Sequence, residues 1–246
     1  CIDIFLKRNK FPNEVGNQLY YIFGIQSWFN GHETVANPPA WSLSVEFFFY
    51  LLFPIIYPLF KKRIKIMILL TVLLWLSTLC LFFFTHDFNH NTIDIYNFHP
   101  LYHISTFFIG IIVGLFWVRS NKQNKNSFKL ILLLLAVIFV LIPLPLFRLS
   151  HNPILAPLFA ILIFYIASCE FGKKNKFYNF FNYLGALSYG IYILQWPINI
   201  LYCYLFSERF IFEPELHFFG FILFLLVVSY LMLIFIEKPI KNKLTI

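Results

Sequence analysis

Trp41-Ser42-Leu43-Ser44-Val45-Glu46-Phe47-Phe48-Phe49-Tyr50 opens a run whose continuation, Leu51 to Phe60, holds no charged residue. As a helix the run is long enough to cross a bilayer, which takes about 20 residues. It sets one carboxylate, Glu46, roughly one turn inside an otherwise apolar segment. Ser42, Glu46 and Tyr50 recur at i, i+4 and i+8, a spacing that stacks them on one helical face. An ionised carboxylate facing lipid at mid-depth costs on the order of 3 kcal/mol, so Glu46 is expected to face protein or water. An acid inside a span, with polar neighbours on its own stripe, is a functional-site candidate.

The rest of the chain has the same character. Hydrophobic residues make up 60% and charged residues 12%. That is about half the charge of a soluble domain. Mean hydropathy is +0.74. The expected fold class is therefore all-α, a polytopic bundle of transmembrane helices forming a single integral-membrane domain over residues 1–246. The seven clear spans are 42–60, 64–84, 101–118, 128–147, 153–169, 184–206 and 217–236. A weaker stretch, 17–30, contains Asn17, Gln18, Gly24 and Gln26 and is expected to be a short or re-entrant segment, or a further span.

Basic residues orient the bundle. Lys61, Lys62, Arg63 and Lys65 form one short loop, and Arg119, Lys122, Lys125 and Lys129 a second. Lys173, Lys174 and Lys176 form a third, and Lys238, Lys241 and Lys243 close the chain. Cations concentrated in alternate loops face the cytoplasm. The C-terminus is then cytoplasmic, and Glu46 lies near the outer end of its helix. Lys7, Arg8 and Lys10 favour the inner side too, which makes 17–30 a span on this reading. The net charge of +8 is accounted for by topology and contact with anionic lipid, so no nucleic-acid partner is expected.

The outward segments 85–100 and 207–216 are rich in His, Asn, Asp and Glu. All seven histidines, His32, His86, His90, His99, His103, His151 and His217, fall in outer loops or at the span ends beside them. His86/His90 and His99/His103 have i, i+4 spacing, but neither pair sits in a zinc-binding motif, and Pro100 interrupts the second. No metal site is expected. The four cysteines are scattered with no ligand spacing and read as small apolar packing residues.

Four segments, in order, resemble the membrane acyltransferase-3 family. The first is Trp41-Ser42-Leu43-Ser44-Val45-Glu46-Phe47-Phe48-Phe49-Tyr50-Leu51-Leu52-Phe53-Pro54. The second is Pro100-Leu101 through Phe107-Phe108-Ile109-Gly110-Ile111-Ile112-Val113-Gly114. The third runs from Tyr183-Leu184-Gly185-Ala186-Leu187-Ser188-Tyr189-Gly190 to Gln195-Trp196-Pro197, and the fourth is Ile236-Glu237-Lys238-Pro239-Ile240. The resemblance implies transfer of an acyl group, usually acetyl, from acyl-CoA to a carbohydrate hydroxyl. The usual acceptors are lipopolysaccharide, capsule, exopolysaccharide, peptidoglycan or a glycosylated small molecule. Acyl-CoA, acetyl-CoA above all, enters as a co-substrate, and no bound cofactor is implied.

Two departures qualify it. The family's first helices carry an arginine motif, a His that acts as base and a Ser-Gly motif, and these are not visible here. The chain starts at Cys1, so it is expected to be a fragment lacking N-terminal helices and, alone, the base; a lipid-modified N-terminal Cys is the alternative. Gln195 stands where the family commonly has His, and Gln does not titrate near neutrality.

Acyl transfer needs the attacking hydroxyl deprotonated and the developing oxyanion stabilised. Glu46 is the catalytic candidate: it orients a His, or binds a sugar hydroxyl, or else pairs with a buried Arg to fix packing. Trp41 stacks on a sugar or anchors the membrane interface. Ser42 caps the helix behind Pro38-Pro39. Tyr50 and Gln195 complete the candidate substrate-binding set. Gly185 and Gly190 permit close helix approach. Glu237-Lys238-Pro239 is expected to end the last helix. A flippase or transporter of lipid-linked sugar is the competing class, but no internal repeat is apparent and Glu46 is the one acid clearly inside a span. An inactive truncated transferase is the third reading.

Overall fold

Long runs of Leu, Ile and Phe without charge leave the backbone one way to satisfy itself away from water, and these runs are helical. A computed structural model describes residues 15–29, 31, 37–85, 98–120, 127–141, 151–168, 176–207 and 214–244. Among them the structure is all-α. The helices are α1 (Val15–Ile22), α2 (Trp41–Lys62), α3 (Ile64–Thr85), α4 (Ile104–Ser120), α5 (Ser127–Leu141), α6 (His151–Ala167), α7 (Lys176–Tyr202), α8 (Pro214–Met232) and α9 (Lys238–Leu244). Four stretches are long and apolar enough to cross a membrane: Pro38–Lys62, Ile64–Leu81, Pro100–Ser120 and Glu215–Lys243. Leu130–Phe139 and Pro153–Ser168 are shorter apolar helices. The expected span 128–147 runs beyond the described residues after position 141. Helix α7 is long enough, but Asn179, Asn182, Ser188, Gln195 and Asn199 dilute its apolar character.

The chain divides into two compact units: Gly24–Asn30 with Ser42–Glu170, and Cys1–Phe23 with Gly31–Trp41 and Phe171–Ile246. In the first, α3 and α4 run antiparallel, with the Tyr102 hydroxyl donating to the Thr78 carbonyl at 3.1 Å. Its core is Phe60, Met67, Phe108, Ile111 and Leu115, with Phe60 wholly buried and edge-on to Phe108. Ile131, Ile138 and Leu162 join α5 to α6. The Thr71 hydroxyl is spent on its own helix, on the Met67 carbonyl at 2.7 Å. Pro54 and Pro58 interrupt the α2 backbone ladder without ending the helix.

In the second unit α7 and α8 form an antiparallel pair. A methyl on Gly190 would lie 3.4 Å from the Ser229 Cβ, so glycine there lets the backbones approach. Further along, the Tyr202 ring meets His217, Phe221 and Phe224.

Several expectations are corrected. Residues 17–30 are not one span: α1 ends at Ile22, Gly24 takes φ 63°, and a 3-10 turn follows at Gln26–Trp28. Only a residue without a Cβ takes that φ freely. Helix α7 begins at Lys176, ahead of the expected 184. Among the described residues nothing comes within 4 Å of a Cβ placed on Gly185, so it makes no close approach to them. Glu237-Lys238-Pro239 does not stop the chain. A π-helical segment, Leu233–Glu237, widens the backbone and α9 continues from Lys238. Pro239 lies just beyond that segment, where the local change of hydrogen-bond register accommodates its missing N–H. Segments 86–97 and 208–213, with His32, His86 and His90, lie outside the described residues, as do Lys7, Arg8 and Lys10.

Candidate functional site

The approach to α2 is set by two prolines. Asn37 is extended at φ −143°, and Pro38–Ala40 form a 3-10 turn with proline at its first positions. Trp41 then begins α2. Ser42 therefore lies inside the first turn rather than ahead of it, and the position that precedes the 3-10 turn belongs to Asn37. The Asn37 side chain caps nothing. Its Nδ2 donates instead to the Ile193 carbonyl at 3.0 Å, and the Tyr192 hydroxyl donates to the Pro39 carbonyl at 2.9 Å. Two of the sequence segments, around Pro38–Trp41 and Tyr189–Pro197, are thus tied within one unit. Gln195 is half-buried on α7, one turn beyond Tyr192, and Trp41 is half-buried.

The expected stripe on α2 is present. Ser42, Glu46 and Tyr50 follow one another along the helix, and the Tyr50 hydroxyl donates to Glu46 Oε2 at 3.3 Å. Glu46 is exposed and Tyr50 is 71% exposed. Glu46 sits five residues after Trp41, about 8 Å along the helix and roughly halfway from its start to its middle. The packing of α2 is carried by other residues of the helix: Ser44, Val45, Phe49 and Phe60 are buried.

Polar groups that are not among the sequence-predicted site residues are buried beside that packing. Gln26, Ser27, Ser44 and Ser105 are all buried, Ser44 and Ser105 completely. The Ser27 N–H donates to the Ser44 hydroxyl at 3.3 Å, fixing the 3-10 turn against α2. Trp28 lies edge-on to Phe48 and to His99, each with ring centroids 5.0 Å apart. Phe49 stacks on Phe107 of α4 at 4.4 Å. His99 precedes the 3-10 turn Pro100–His103, and its Nδ1 accepts the Leu101 N–H at 3.3 Å. Burial pushes the His99 pKa below the ordinary 6.5. A neutral imidazole suits an Nδ1 acceptor. The signal that could have flagged this corner was Gly24 and Gln26 in a stretch too polar to span.

An exposed carboxylate with a phenol beside it can accept a proton donor from a substrate hydroxyl or an imidazole, and it can fix that donor's direction. Tyr50 occupies one lone pair of Oε2 and leaves Oε1 for such a donor.

A family model described as an acyltransferase domain matches residues 8–234 and crosses both units. No curated protein and no solved structure matches the chain.

Proposed function

The chain belongs to the acyltransferase-3 family, and from that premise we propose that it moves an acyl group, acetyl above all, from acyl-CoA to a hydroxyl of a cell-surface carbohydrate. The acceptor class is lipopolysaccharide, capsule or exopolysaccharide. The acyltransferase activity rests on the family match over residues 8–234, which is the observation that carries the reading. In the transfer a bond forms between the sugar oxygen and the thioester carbonyl carbon. The hydroxyl proton passes to a base, the carbon–sulfur bond breaks, and CoA leaves as a thiolate that takes up that proton.

Glu46 directs that base or the attacking hydroxyl. Its pairing with Tyr50 supports the role, because a carboxylate held by one donor is oriented for a second. Trp41 offers a ring face to the acceptor, and Ser42, Tyr50 and Gln195 offer hydrogen bonds. Seven spans with the basic loops and the C-terminus in the cytoplasm of an inner membrane put Glu46 near the outer face. Acyl-CoA then approaches from the cytoplasmic side.

Deleting the gene tests the reading. Surface carbohydrate that is made in normal amount but lacks ester-linked acyl groups supports it. Loss of the carbohydrate altogether would make the chain a flippase instead.

A further inference from the structure

The densest charge outside the candidate site lies where α2 hands over to α3. Lys61 and Lys62 end α2, Arg63 alone separates the helices, and Lys65 lies in the first turn of α3. All four side chains are exposed. Their support is rigid. The Arg63 N–H donates to the Leu59 carbonyl at 2.8 Å, and the Met67 N–H to the Arg63 carbonyl at 3.1 Å. Phe60 and Met67 anchor the turn in the core.

A fifth cation joins by register. Helices α3 and α4 are antiparallel, with Tyr102 on Thr78 near one end and Met67 packed with Leu115 near the other. Continuing that register brings Trp117 and Arg119, both exposed, to the level of Arg63. Among the described residues of this unit the one carboxylate is Glu46, 16 residues before Lys62 and so about 24 Å away along α2. Nothing described at this end neutralises the five cations.

We propose that this end of the unit is a discrete binding site for the phosphate of an anionic lipid headgroup. Both α2 and α3 are apolar and long enough to span, so the turn they share lies at headgroup level. Arg63 and Arg119 offer planar forks that match phosphate oxygens, and the lysines add point charges around them. Trp117 supplies the aromatic ring that sits between acyl chain and headgroup. A polybasic cluster beside a span attracts anionic lipid over zwitterionic lipid. Inorganic phosphate offers the same oxygens without the acyl chains, and competition separates the two sources.

The test places the full chain in phosphatidylcholine nanodiscs doped with phosphatidylglycerol and measures, by mass spectrometry, the lipid retained after purification. Three variants are compared with the parent: Lys61→Gln/Lys62→Gln/Arg63→Gln/Lys65→Gln, Lys61→Arg/Lys62→Arg/Lys65→Arg, and Arg119→Gln. The parent and the arginine variant enrich phosphatidylglycerol equally. The glutamine variant loses enrichment roughly ten-fold, and Arg119→Gln loses part of it. Arg119→Gln leaves the helix turn untouched, so it decides the matter if the multiple variant does not fold. Equal enrichment in Arg119→Gln and the parent would overturn the proposal. So would a parent with no preference for phosphatidylglycerol, or full displacement of lipid by inorganic phosphate.

Discussion

Tyr192 on α7 donates its hydroxyl to the carbonyl of Pro39, 153 residues earlier in the chain, at 2.9 Å. With the bond from Asn37 to Ile193 at 3.0 Å, it ties the segment 37–41 to α7 within one unit. Neither bond is between helices, so no helical periodicity announces it. Tyr192→Phe keeps the ring and removes the donor. The expected cost is about 1 kcal/mol, because the Pro39 carbonyl loses a partner at a partly exposed position. Thermal unfolding in detergent checks it, and an unchanged midpoint would count against this tie.

Gly190 and Gly185 make opposite predictions from similar sequence positions. A Cβ on Gly190 meets Ser229 at 3.4 Å, whereas one on Gly185 meets nothing within 4 Å. Gly190→Leu should force α7 from α8 and destabilise by about 1–3 kcal/mol. Gly185→Leu should leave the unfolding midpoint close to the parent value. Equal sensitivity at the two sites would contradict the packing described.

His99 predicts a pH dependence. Burial lowers its pKa in the folded chain below the ordinary 6.5 of the unfolded one. Above pH 6.5 both states are neutral and the stabilising contribution is complete. As pH falls through 6.5 the unfolded chain takes up the proton first, so stability declines until the folded pKa is passed. His99→Phe keeps a ring against Trp28 and does not titrate. Its stability should fall less than the parent's between pH 7.5 and about pH 5, as read by thermal unfolding.

Tyr50→Phe isolates the phenol beside Glu46. Losing one hydrogen bond at an exposed position removes about 1 kcal/mol of orientation, so acylation should slow by about five-fold with normal protein accumulation. A hundred-fold loss would instead give Tyr50 itself the leading role.

Helix positions were legible because a bilayer leaves the backbone no other choice: 42–60 and 64–84 became Trp41–Lys62 and Ile64–Thr85. The stripe of Ser42, Glu46 and Tyr50 was legible for the same local reason, a spacing of four. What failed depended on partners distant in sequence. Gly185 looks like Gly190 until α8 is placed against only one of them. Pro239 looks like a stop until the π-helical segment at Leu233–Glu237 lets the helix run on past it. The buried Ser44 and Ser105 hydroxyls belong to helix faces whose burial comes from packing and not from periodicity. Of the two readings of 17–30, a short or re-entrant segment and a further span, the span failed because Gly24 and Gln26 serve a turn pinned to Ser44 through Ser27.

The most direct measurement replaces Glu46 by Gln in the protein as it stands in its membrane and counts ester-linked acyl groups on surface carbohydrate. Protein level is matched by immunoblot. Gln keeps the shape and an acceptor for Tyr50 but loses the charge that directs a base. Acylation falling by about two orders of magnitude, with the protein still inserted, is the result expected of a carboxylate that directs acyl transfer. Full acylation by Glu46→Gln at matched protein level would contradict it and leave Glu46 without a part in the transfer.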